Sequence, residues 1–170
     1  MLDENGVATG KTKDRSEIHK DGSWHRTVHV WIVNSKDEVL IQKRSLEIDL
    51  FKDLWDISLV GHIQSREKNI EAAKRELTEE LGIKVRNDEL ELIGTVKSQL
   101  EDEESYDNQF CDIYLVRKNV DLREIKKQRK EVAEIAFMPL GELMKFIYEN
   151  SEQFVPRTEE YEKMFDFLAS

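Results

Sequence analysis

The chain has few of the residues that staple or interrupt a fold. It carries one cysteine, Cys111, and two prolines in 170 residues. One cysteine excludes an internal disulfide, so Cys111 is read as a small apolar residue in a strand. Repeats and low-complexity tracts are absent, and no apolar run approaches the roughly 20 residues of a bilayer-spanning helix. The opening MLDENGVATGKTKDRSE lacks the apolar core of a secretory signal, so the expected location is cytoplasmic, with no membrane partner. Positive charge is also scarce: 26 Lys and Arg stand against 36 Asp and Glu, a net charge of −10. That balance argues against long nucleic acid or an anionic membrane as partner. A small nucleotide stays open, because a bound cation reverses the local field. At 39% hydrophobic residues, the length suits one domain over residues 1–170 with its own core.

What the chain does have is a concentrated acidic segment, GHIQSREKNIEAAKRELTEELGI, from Gly61 to Ile83. Asn69 to Leu81 holds strong helix formers with no proline or glycine, which predicts a helix with Asn69 as N-cap and Gly82 at its end. Ile70, Ala73, Leu77 and Leu81 form its apolar stripe. Glu76, Glu79 and Glu80 fall on another face, within an arc of roughly 100° at the helical period. Like charges at such spacing repel, and a divalent ion would offset that cost. Mg2+ suits hard carboxylate oxygens and commonly bridges them to substrate phosphates, with Mn2+ as a possible substitute.

Elsewhere the pattern predicts strands. Residues 26–33 and 39–43 read as a hairpin. Residues 55–59, 90–98, 109–116 and 131–138 read as further strands, and 6–12 as an edge strand. Residues 140–148 and 159–168 read as amphipathic helices whose stripes belong to the core. The acidic stretch 101–108 reads as a polar loop. An exposed edge strand leaves a homodimer open.

The segment 61–83 resembles the Nudix box, GX5EX7REUXEEXGU with U a bulky aliphatic residue, and meets every specified position. The resemblance implies an α/β (α+β) fold, an αβα sandwich on a mixed β-sheet. It implies hydrolysis of a nucleoside diphosphate linked to another moiety, X, or of a related small-molecule diphosphate. By similarity, Glu79 and Glu80 are the main metal ligands and Glu76 is a further ligand or the base. Glu67 and Arg75 brace the segment, and Gly61 allows close approach.

A wider resemblance, on HRTVHVWIVNSKDEVLIQKRS and LWDISLVGH, is to the branch containing type 1 isopentenyl diphosphate isomerase and its hydrolase-like relatives. Those isomerases hold a metal with three histidines and two glutamates. His19, His25 and His62 fall near the histidine positions, and Asp107 and Gln109 fall where the glutamates are expected. The isomerase cysteine matches Val60, its catalytic glutamate matches Gln109, and a diphosphate-binding lysine matches Ile48. Val60 and Gln109 cannot run proton chemistry on carbon. The resemblance therefore favours an isomerase-like hydrolase over an isomerase.

Other positions keep two readings. Arg44 is the candidate phosphate contact, or a surface arginine ending a strand. Glu131, opening the last strand, is a downstream general-base candidate, or a surface residue. The three histidines form a second metal site, or are ordinary hydrogen-bonding residues near the pocket. His29 is expected to bond internally, and Trp24, Trp31 and Trp55 to wall the core or pocket. The run 126–130 is a solvated basic loop or a phosphate contact. Two alternatives to hydrolysis remain: isopentenyl diphosphate isomerisation, and a non-catalytic nucleotide- or metabolite-binding module.

Overall fold

The computed structural model describes residues Met1–Ser170. A seven-stranded mixed sheet forms the middle layer, built from β1 (His25–Val33), β2 (Glu38–Arg44), β3 (Trp55–Asp56), β4 (Leu59–His62), β5 (Glu91–Glu101), β6 (Tyr106–Arg117) and β7 (Val132–Pro139). The order is β3-β2-β1-β6-β5, with β4 paired to β1 and β7 to β2. β1 and β6 run parallel, and the other pairs are antiparallel.

Strand alternation divides the core in two. Val28, Val30 and Ile32 of β1, with Tyr114 and Val116 of β6, pack with Ala72, Ala73, Leu77 and Leu81 of helix α2 (Asn69–Leu81). Trp31, Val33, Ile113 and Leu115 point to the other side. There they meet Leu143 and Ile147 of α3 (Leu140–Glu149) and Tyr161, Met164 and Phe165 of α4 (Thr158–Ala169). The result is the expected αβα sandwich. An additional short helix, α1 (Arg15–Asp21), seats Ile18 and His19 in buried positions.

Several local expectations change. Residues 6–12 form no strand; the N-terminal segment makes only a bridge between Leu2 and Ala8. The expected polar loop narrows to residues 102–105, because β5 and β6 continue their pairing to Glu101↔Tyr106 and take in 101 and 106–108. β1 and β2 pair at Val33↔Val39, after which β1 pairs with β4 and β2 with β7, so the hairpin opens into the sheet. Lys68, not Asn69, is the N-cap of α2. Asn69 lies inside the helix, and its side-chain amide instead donates to Asp112 across to β6.

Candidate active site

The box glycine and the α2 carboxylates interlock. A Cβ on Gly61 would lie 2.4 Å from Glu76 Cγ, so only a residue without a side chain lets Glu76 cross β4. Gly82 ends the helix in the left-handed region at φ 66°, with its N–H donating to Thr78. Arg75 then fixes the loop ahead of the helix. Its Nε donates to Glu67 Oε1 at 2.8 Å, and its Nη2 donates to Glu67 Oε2 at 3.0 Å and to the His62 carbonyl at 2.8 Å. Its Nη1 donates to Glu76 at 2.8 Å and Glu79 at 3.2 Å.

The three box glutamates sit in different surroundings. Glu79 has a side chain 54% exposed and is held outward by Arg75. Glu80 is buried, and burial, reinforced by Glu76 and Glu131, pushes its carboxyl up to about 8. Burial also raises Glu76, against the pull of Arg75. Glu80 and Glu131 line one cavity with Arg15 and Arg44. Arg44 is not a surface residue: its guanidinium donates to the Leu50 carbonyl at 3.1 Å and to Asp56 at 3.3 Å. Glu131 accepts an ion pair from Arg15 Nη1 at 3.5 Å. The structure thus gathers Glu80, Glu131 and Arg44 at one cavity, sets Glu76 beside it over Gly61, and leaves Glu79 facing outward.

Two members of a histidine cluster, His19 and His62, wall the same cavity, and His25 packs against both. His19 comes from α1, His25 from the start of β1 and His62 from the end of β4. One ring nitrogen from each lies within 4.8 Å of the others. Both ring nitrogens of His19, and Nε2 of His25 and of His62, are buried without a hydrogen-bond partner. Nδ1 of His25 meets the Ser23 carbonyl at 3.2 Å. Burial lowers all three below the usual imidazole range, against the pull of Asp107 on His19 and His25. Asp107 joins them, with Oδ1 3.7 Å from His19 Nε2 and 3.4 Å from His25 Nε2. Three imidazoles within reach of one another, beside a carboxylate, fit a divalent transition metal. His29, by contrast, bonds internally as expected: its Nδ1 meets Glu160 Oε2 at 2.7 Å.

Two contributors lay outside the sequence expectations. Helix α1 carries Arg15 and His19 into the site from a segment with too little apolar pattern to mark a helix. Arg157, just ahead of α4, lines the cavity too and is buried against Asp56. A lone arginine after a proline has no local signature; only the tertiary pairing reveals it.

Comparison with known proteins agrees with this geometry. The chain is 36% identical to a protein of Arabidopsis thaliana named Nudix hydrolase 3, over 99% of this chain but only 23% of that one. The chain therefore spans less than a quarter of that relative's length. A Nudix hydrolase of Listeria monocytogenes is 36% identical, over 92% of this chain and 86% of its own. A crystal structure from Deinococcus radiodurans superposes with a TM-score of 0.71 at 19% identity, over 100% of this chain and 98% of that one, which speaks for the fold alone. The NUDIX domain family model matches residues 23–158. With that match covering the box and most of the chain, the chain belongs to the NUDIX domain family, the Nudix hydrolases.

Proposed function

We propose that residues 1–170 act as one Nudix domain, a metal-dependent pyrophosphohydrolase that cleaves the diphosphate linkage of a nucleoside diphosphate-X or related small molecule. The observation carrying this reading is the cavity where buried Glu80 meets Glu131 and Arg44, beside the Glu76 that crosses Gly61. Burying carboxylates together is costly unless a cation shares them. Glu76, Glu79 and Glu80 hold Mg2+ or Mn2+ in this reading, with Glu79 turning from Arg75 toward its neighbours. An ion held there would neutralise phosphoryl oxygens and acidify water. Arg44 donates to a phosphoryl oxygen, a charge-assisted contact that orients the diphosphate. Glu131, held by Arg15, accepts the proton of the attacking water, with Glu76 as the alternative base.

Within the family, the histidine cluster supports placement in the isopentenyl-diphosphate-isomerase-like branch. His19, His25, His62 and Asp107 supply a second divalent site there. Isomerisation itself is the second reading, favoured by that cluster. Against it, Val60 and Gln109 occupy the same cavity, and neither can give or take a proton at carbon.

The test is a phosphate-release screen over diphosphate compounds with Mg2+ or Mn2+, run beside Glu79→Gln and Glu80→Gln. Each variant should lose at least about 100-fold in metal-dependent turnover, on the scale of an electrostatic group at the reacting centre. Wild-type turnover in both variants rules out the ligand assignment. Turnover of isopentenyl diphosphate to its allylic isomer, without phosphate release, establishes the second reading instead. Tight nucleotide binding with no turnover across the panel identifies a binding module.

A further inference from the structure

The cavity contains a buried cationic group that the hydrolytic reading leaves unused. Arg157 Nε donates to Asp56 Oδ1 at 2.7 Å, and Nη2 donates to Asp56 Oδ2 at 2.9 Å. Its remaining terminal nitrogen, Nη1, is buried and has no acceptor. The residue is only 5% exposed, so bulk water does not serve it. Arg44 draws on the same carboxylate, at 3.3 Å from Asp56 Oδ2. Two guanidiniums thus share one carboxylate, and Glu160 is the further acid acting on Arg157. Arginine keeps its protons, so Nη1 retains its N–H donors. Buried N–H donors are nearly always satisfied, and the cost rises when the donor is charged.

A second orphan lies on the same cavity. Gln109 is fully buried, and neither its amide nitrogen nor its amide oxygen has a partner. Arg157, Arg44 and Gln109 all line the cavity that holds Glu80. The same cavity therefore carries the buried carboxylate of Glu80 and unspent donors on Arg157 and Gln109.

We propose that Arg157, with Arg44 and Gln109, forms an oxyanion seat that binds a phosphoryl group of the substrate away from the box carboxylates. This deepens the proposed function and rests on it for the identity of the natural ligand. Arg157 is a specificity-determining residue in this scheme: it selects substrates that place a second anionic phosphoryl group in the cleft, while Glu76 and Glu80 serve the first.

Inorganic pyrophosphate is the probe, titrated calorimetrically into the full chain in EDTA and then with Mg2+. EDTA isolates the arginine seat from the box. Wild-type protein should bind pyrophosphate without metal, and Arg157→Lys, which keeps the charge but loses the third nitrogen, should bind at least about tenfold more weakly. Gln109→Met, close in shape, should weaken binding by a smaller factor and gives an independent reading where Arg157→Lys lowers the melting temperature. In turnover, Arg157→Lys should raise KM more than it lowers kcat. Metal-free binding that depends on Arg157 upholds the seat even if no diphosphate is hydrolysed, so its fate is separable from that of the hydrolase reading. Absence of metal-free binding to wild type, or unchanged binding in both variants, overturns it.

Discussion

Glu80 is kept almost out of water, and its environment dictates a pH signature. Its carboxyl, ordinarily at 4.5, is pushed to about 8 by burial and by Glu76 and Glu131. Between those values the native chain holds a proton that the unfolded chain has lost. The native state binds more protons there, so this contribution to stability is complete below 4.5 and is lost as pH rises through 8. His19, His25 and His62 act in the opposite sense, since burial lowers them and the unfolded chain binds more protons as pH falls below 6.5. The difference between wild type and Glu80→Gln isolates the carboxylate. In EDTA, Glu80→Gln should gain on wild type between pH 5 and 8, by at most about 1.4 kcal/mol per pH unit. Thermal melts across that range provide the check, and parallel curves would remove Glu80 from the buried ionisable set. At Gly61, no titration is involved and the constraint is steric. Gly61→Ala places a Cβ 2.4 Å from Glu76 Cγ. It should displace Glu76 and lower kcat by at least about tenfold, a cost expected when a reacting group is moved by about an ångström.

Helix α2 has to serve the core and the site with one short sequence. Leu77 and Leu81 are fully buried, while Arg75 and Glu79 on the opposite face order the box. Leu77→Ala should cost about 2–5 kcal/mol by leaving a cavity, measured by denaturant unfolding. Because α2 also carries Glu76 and Glu80, turnover of the folded fraction should fall as well. Local periodicity made this helix legible in the sequence, and Gly82 marked its end through its left-handed backbone. The strands were legible for the same reason, since β1 and β6 are rich in β-branched and aromatic residues. The N-cap of α2 was not, because Asn69 has a tertiary partner in Asp112 that outcompetes capping. Nor was the extension of β5 to Glu101 and of β6 back to Tyr106, where ladder hydrogen bonds override an acidic composition and leave only 102–105 as the loop. Helix α1 went unseen because one buried turn around Ile18 and His19 is too short to show a period.

At the scale of the whole molecule, the sandwich brings three distant segments to one point: α1 at His19, β1 at His25 and β4 at His62. The resemblance to the isomerase branch suggested these residues but could not say whether their rings converge. Convergence depends on β1 pairing with β4 at Thr27↔His62 and on α1 packing over β6 near Asp107. The cluster's four buried ring nitrogens without partners are a destabilising feature of the bare protein. A metal that binds only the folded chain should therefore raise its stability by mass action, by about 2.7 kcal/mol at a hundredfold excess over Kd. For a chain of this length that corresponds to a rise of about 5–10 °C in melting temperature. Zn2+, which suits imidazole ligands, should produce the rise in EDTA-stripped protein after the chelator is removed. His25→Ala should abolish it, whereas Glu79→Gln, on the outward face of α2, should leave it intact. If Glu79→Gln and not His25→Ala removed the effect, the ion would belong to the box, and the histidines would be only a buried wall of the cleft.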